Sequence, residues 1–181
     1  MFMFTFSLKT NLIIITIVVI GTIIVQMFDF EIAEPKCKNP LGTISSHFSD
    51  DIIDDVNWNM YEYYATVKLH ESELVKDYYE SDDRVSRIFA IESYRLFYLV
   101  PEIERLVLEL KINKGHFKMY ITKDQIEEAY RLKIEDILEY DKNKKIKIGN
   151  KFQNQFIKKY DHKRYRDFFV LQYVDTLPDF E

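Results

Sequence analysis

The chain has 181 residues, a formal net charge of -5, 47% hydrophobic and 15% aromatic residues, four Gly, four Pro and a single cysteine. These figures argue for one folded domain rather than a loop-rich chain, and the acidic balance argues against a nucleic-acid binder, whose domains carry a basic excess. With Cys37 alone, an intrachain disulfide and a multi-cysteine zinc site are both excluded.

After a short tail (residues 1–9) comes Thr10 to Phe28, nineteen uncharged residues rich in Ile, Val and Leu. As a helix this run would be about 28 Å long, close to the roughly 30 Å hydrocarbon core of a bilayer. A helix apolar on every face needs a large protein around it, which rules against a core helix in a chain of this size. A cleaved signal would be followed by small residues in an A-x-A pattern, and the stretch Gln26 to Ala33 offers only Ala33. Residues 10–28 therefore read as a transmembrane signal-anchor. Lys9 precedes the span, while Lys36 and Lys38 follow it among Asp29, Glu31 and Glu34, so basic residues do not decide the orientation. A short N-terminal tail and a long C-terminal domain favour an extracytoplasmic domain.

Residues 29–57, with Pro35, Pro40 and Gly42 and no clean period, read as a juxtamembrane connector. Its segment Asp50-Asp51-Ile52-Ile53-Asp54-Asp55 resembles the magnesium-holding DDxxD element of prenyl-transferring enzymes. Such enzymes need a large helical cavity and normally a second acidic element, so a solvated acidic helix start is the expectation.

The domain is expected over residues 58–181. From Met60 to His70 the residues alternate, with Tyr61, Tyr63, Ala65, Val67 and Leu69 on one face, which predicts a half-buried strand. Arg84 to Val100 carries Val85, Ile88, Phe89, Leu96 and Leu99 near helical spacing and stops at Pro101, so it reads as the principal helix. Leu106, Leu108, Leu110 and Ile112, then Phe117, Met119 and Ile121, predict a hairpin about Asn113-Lys114-Gly115, with the glycine available for positive φ. Thr122 and Gln125 have the spacing of a capping box, so a short helix should follow. The order of elements over residues 58 to 135, including VPEIERLVLELKINKG, resembles small α+β modules of bacterial lipoproteins and sporulation proteins. In those modules a helix crosses one face of an antiparallel sheet. The expected fold is thus α+β: an N-terminal transmembrane helix, then one small domain with an antiparallel sheet against one or two helices.

Charge is polarised in what remains. Lys142, Lys144, Lys145, Lys147, Lys151, Lys158, Lys159, Lys163, Arg164 and Arg166 are opposed between residues 142 and 166 only by Asp161, a net of about +9, whereas residues 50–83 carry about -9. Phe152, Phe156, Ile157 and Tyr160 recur at helical spacing within the basic stretch, and Phe168 to Val174 reads as a last, buried strand. Either the basic residues pair loosely with the acidic stretch or are solvated, or they meet a partner. Held near a bilayer by residues 10–28, they suit anionic lipid headgroups, with about 1 kcal/mol from each well-placed cation.

No catalytic residues, cofactor site or metal site are assigned. The four histidines form neither HxxxH nor HExxH, and four glycines leave no phosphate cradle. The sequence reads as a membrane-anchored, non-catalytic binding protein, an accessory or interaction subunit of an envelope or surface assembly with a protein partner. The other readings are a small secreted or periplasmic hydrolase, its carboxylate pair unlocated, and an immunity-type inhibitor.

Overall fold

The structure, a computed structural model, describes residues 39–48, 52–70, 84–112 and 115–177. Two compact units divide the chain, Met1–Glu34 and Pro35–Glu181, and every described residue belongs to the second. The expected anchor at residues 10–28, Cys37 and the expected turn at Asn113-Lys114 lie outside the described residues. Among the described residues no helix is long and apolar enough to cross a membrane.

The described residues form an α+β fold about a five-stranded mixed sheet in the order β1-β2-β3-β4-β5. Strand β1 is Ile53–Asn59, β2 Tyr64–His70, β3 Arg105–Ile112, β4 Gly115–Thr122 and β5 Val174–Leu177. Neighbours are antiparallel except β2 and β3, which run parallel with Tyr64 opposite Arg105 and His70 opposite Lys111. The expected all-antiparallel sheet is corrected here. Successive parallel strands need a long crossover, and the principal helix lies in the chain between β2 and β3.

That helix, α2, is continuous through Arg84–Arg87, a π-helical turn Ile88–Glu92, and Ser93–Leu99, and ends before Pro101. Every residue from Ile88 to Tyr94 is buried, as are Leu96, Phe97 and Tyr98. A helix so apolar must be covered on all sides. Ala65, Val67 and Leu69 of β2, Leu106, Leu108 and Leu110 of β3, and Met119 and Ile121 of β4 supply the sheet side of the core. A π turn disturbs the regular i to i−4 ladder, and side chains occupy carbonyls there: the Ser93 hydroxyl donates to the Phe89 carbonyl, and the Tyr130 hydroxyl to that of Ala90.

The β3–β4 hairpin lies where the alternation predicts it, in full register from Arg105–Thr122 to Ile112–Gly115. Gly115 does not take a left-handed φ; it opens β4, and a Cβ there would come 2.8 Å from the Phe117 ring. Helix α3, Lys123–Tyr130, begins on the predicted capping box, with the Thr122 hydroxyl accepting from the Gln125 amide while the Gln125 side chain accepts from that of Thr122. Thr122→Ala should lower stability by about 1 kcal/mol, measured as a drop in the urea midpoint.

Three expectations fail before β2. The residues read as connector contribute helix α1, Pro40–His47, with Ile44 in the core, and the edge strand β1. Asp54 and Asp55 are in that strand, not at a helix start. A register irregularity between Ile53 and Asp55 brings both to the open face of the sheet, where Asp54 Oδ1 lies 2.8 Å from His70 Nδ1 and Asp55 pairs with Lys68 at 3.4 Å. Met60 to Tyr63 are turn, not strand: the Asn59 side chain accepts from the Tyr61 and Glu62 amides, and Tyr63 has φ 50°.

In the C-terminal third, α4 is Ile134–Ile137, and α5 runs through a second π-helical turn, Phe152–Ile157, to Lys158–Tyr160. The predicted apolar stripe is its inner face. Phe156 stacks on Tyr94 with centroids 4.0 Å apart, Phe152 meets Tyr98 at 4.7 Å, and Tyr130 lies edge-on to Phe156 at 4.9 Å. The expected strand Phe168–Val174 is instead mostly helix: α6 spans Lys163–Tyr173, and β5 begins only at Val174. Tertiary contact overrides the β propensity of FFVLQYV, because α6 packs against α2 and β4 with Phe169 buried.

Candidate functional site

The ten basic residues of the sequence do not form one surface. Lys142, Lys144, Lys145 and Lys147 are exposed in the loop before α5. That loop is organised by Asp141, whose side chain accepts from the Asn143 and Lys145 amides, bonds that hold its carboxyl below the usual range. A bridge pairs Tyr140 with Ile146 across the loop, and Lys144 takes a left-handed φ of 59°. Lys151, also exposed, starts α5, where the Glu139 side chain accepts from its amide. Lys158 and Lys159 occupy the last turn of α5, about 10 Å of helix rise from Lys151. Lys163 and Arg164 follow in the first turn of α6. Basic charge is thus gathered at the two ends of α5.

Arg166 belongs to neither group. It is 6% exposed, and its guanidinium donates to Asp161, which also accepts from Arg87 Nη2 at 2.8 Å. The carboxylate of Asp161, just past α5, thereby joins α6 to the start of α2. Burying an arginine is tolerable only with a partner of opposite charge, and Asp161 is such a partner.

Helix α6 turns one face inward and leaves a second apolar strip outside. Arg166 and Phe169 are buried, and Tyr165, Val170 and Tyr173 are partly so. On the outer side Arg164, Phe168 and Leu171 stand at i, i+4 and i+7, which places them on one face. Phe168 is 63% and Leu171 86% exposed, beside exposed Lys163 and Arg164. The sequence hid this strip because, read as a strand, FFVLQYV would bury both residues. An open concavity of about 850 Å³ is lined by these residues together with His162, Tyr165 and Asp167.

Across the sheet the open face is polar. Register aligns Asp55, Lys68, Glu109, Lys118 and Asp175 in one row of alternating sign over all five strands. Lys118 Nζ donates to Glu109 at 2.7 Å; that bond holds the Glu109 carboxyl below its usual range and the Lys118 ammonium above its own. His116 approaches the same carboxylate at 3.6 Å. Opposite charges alternate along the row, so its residues read as sheet stabilisation through cross-strand pairs. Among the described residues no group of three or more His, Cys, Asp or Glu side chains could hold a metal ion.

Compared with known protein families, curated proteins and solved structures, the chain matches none.

Proposed function

We propose that the protein is a single-pass, membrane-anchored binding protein, with an extracytoplasmic α+β domain that serves as an accessory or interaction subunit of an envelope assembly. The observation that carries this reading is the outer face of α6, where Phe168 and Leu171 stand exposed one turn apart beside Lys163 and Arg164. Exposing two large apolar side chains together is unfavourable for a domain that works alone, and a rim of charge around such a strip is the composition of a contact surface. The apolar run at residues 10–28 supports the anchor, and its hydrophobic length is independent of anything in the folded domain.

The test is native size in mild detergent, coupled to sidedness. Labelling of full-length protein on intact cells by a membrane-impermeant maleimide at Cys37 is expected. In mild detergent the protein should run as a complex larger than its 21.9 kDa chain, and Phe168→Ser with Leu171→Ser should dissolve that complex while leaving thermal unfolding unchanged. Labelling only after lysis overturns the extracytoplasmic placement. A complex whose size is indifferent to the double substitution overturns the role of α6.

A further inference from the structure

One end of the domain gathers exposed apolar and basic side chains from segments far apart in the chain. Strands β2 and β3 begin there, at Tyr64 and Arg105, and α2, which crosses back between them, finishes there. The β1–β2 turn holds Met60, Tyr61 and Tyr63 in solvent, Tyr61 at 88% exposure. Its shape is fixed: the Tyr63 carbonyl accepts from the Glu104 and Arg105 amides at 2.8 and 3.2 Å, and Tyr63 keeps a left-handed φ of 50°. That conformation is rare for a bulky residue and persists where surrounding bonds over-determine it. Glu62, the acid of the turn, lies 3.6 Å from the Arg105 guanidinium. The lysine loop stands at the same end, because Tyr98 in the last turn of α2 donates to the Lys147 carbonyl at 2.7 Å and accepts from the Glu139 amide at 3.2 Å. Lys142, Lys144, Lys145 and Lys147 are exposed there without an ion-pair partner among the described residues, between exposed Tyr140 and Ile148.

We propose that this end of the domain docks on an anionic phospholipid bilayer, with Met60, Tyr61 and Tyr63 at the headgroup boundary and the lysine loop on the phosphates. The inference rests on the membrane anchor of the proposed function and leaves the outer strip of α6 to the protein partner. Tyrosine, with an apolar ring and a polar tip, favours the membrane–water boundary. Each well-placed lysine strengthens attachment to an anionic surface about fivefold. Glu104 and Asp124 also lie at this end, so the attraction depends on the lysine loop rather than on the end as a whole. Because turn and loop are held by their own hydrogen bonds, little ordering is left for docking to impose. Position favours the bilayer as occupant. Helix α1 packs against Ser93–Leu99, the half of α2 nearest this end. Only residues 29–38 separate the apolar run from the first described residue, a span of at most about 40 Å even fully extended. On so short a tether, weak attachment suffices.

Full-length protein reconstituted in phosphatidylcholine bilayers, with and without phosphatidylglycerol, tests this. An environment-sensitive fluorophore is attached at Met60→Cys in a Cys37→Ser background and, for comparison, at Lys111→Cys, exposed at the other end of β3. With phosphatidylglycerol present, the probe at position 60 should shift to shorter emission wavelength and be quenched by lipid spin-labelled at the headgroup, while the probe at position 111 is not. Lys142→Gln, Lys144→Gln, Lys145→Gln and Lys147→Gln together should abolish the shift and the quenching and leave the complex in detergent unchanged in size. Protein that stays embedded yet gives equal quenching at both positions overturns the docking alone. Quenching at position 60 that survives without phosphatidylglycerol, or in the lysine variant, also overturns it, since something other than an anionic surface then covers the turn. Protein that alkaline carbonate strips from the bilayer overturns the anchor and this inference with it.

Discussion

Raising the pH above 10 is expected to unfold the domain in one cooperative step at about pH 12. The cause is the tyrosine-rich core. Tyr94, Tyr98 and Tyr130 are fully buried, and burial, the first cause in each case, raises all three phenols above 10.0, Tyr130 well above it. Tyr165 is pushed up to about 12, again first by desolvation and then by neighbouring Tyr160. Each hydroxyl is spent as a donor to a backbone carbonyl: Tyr94 to Leu132, Tyr98 to Lys147, Tyr130 to Ala90 and Tyr165 to Ala129. Ionising any of them would remove that proton and bury a charge.

The sign follows from proton counting. Above pH 10 the unfolded chain releases phenolic protons that the folded chain retains, so folding stability is complete below 10 and is lost as pH rises toward the folded values. Each retained proton lowers stability by about 1.4 kcal/mol per pH unit, so Tyr94 and Tyr130 alone remove about 3 kcal/mol per unit. Against a total of about 5–15 kcal/mol, little survives two or three units. Tyrosinate absorbance and far-ultraviolet circular dichroism should therefore change together, and Tyr94→Phe should move the midpoint upward. Gradual ionisation of these tyrosines with the helical signal intact would refute the packed aromatic core.

The second large effect is expected at Asp161. Asp161→Ala removes the carboxylate to which buried Arg166 and Arg87 both donate and unties α2 from α6, a loss of about 3–5 kcal/mol. Lys163→Ala and Arg164→Ala, from the same basic run but exposed, should change stability by no more than about 0.5 kcal/mol. Urea denaturation of the three variants separates the structural cation from the surface ones. Equal and small effects in all three would mean that Arg166 is not held by Asp161.

Local signals were legible wherever a segment's pattern and its tertiary fate agree. Helix α2 shows its apolar spacing and its proline stop, the β3–β4 hairpin its period of two, and α3 its capping box; each rests on interactions among residues near in sequence. Strand β1 was hidden because two adjacent aspartates at a register irregularity break the alternation, and because an edge strand with one open face buries few of its residues. The ion pair of Arg87 with Asp161 was invisible for another reason: the two residues are 74 positions apart in the chain, and nothing local marks them as neighbours.

By itself the sequence determined the α+β character, the apolar run at residues 10–28, the central helix, the hairpin and the capped helix after it, since periodicity and capping are properties of contiguous residues. Only the tertiary structure decided that β2 and β3 run parallel, that FFVLQYV is helical, that Arg166 is buried while Lys163 and Arg164 are not, and that Phe168 and Leu171 face outward. Those outcomes depend on which surface each segment meets. For α6 that surface is the side of α2 and β4, where burying Phe169 and pairing Arg166 outweigh the strand preference of its aromatic and β-branched residues.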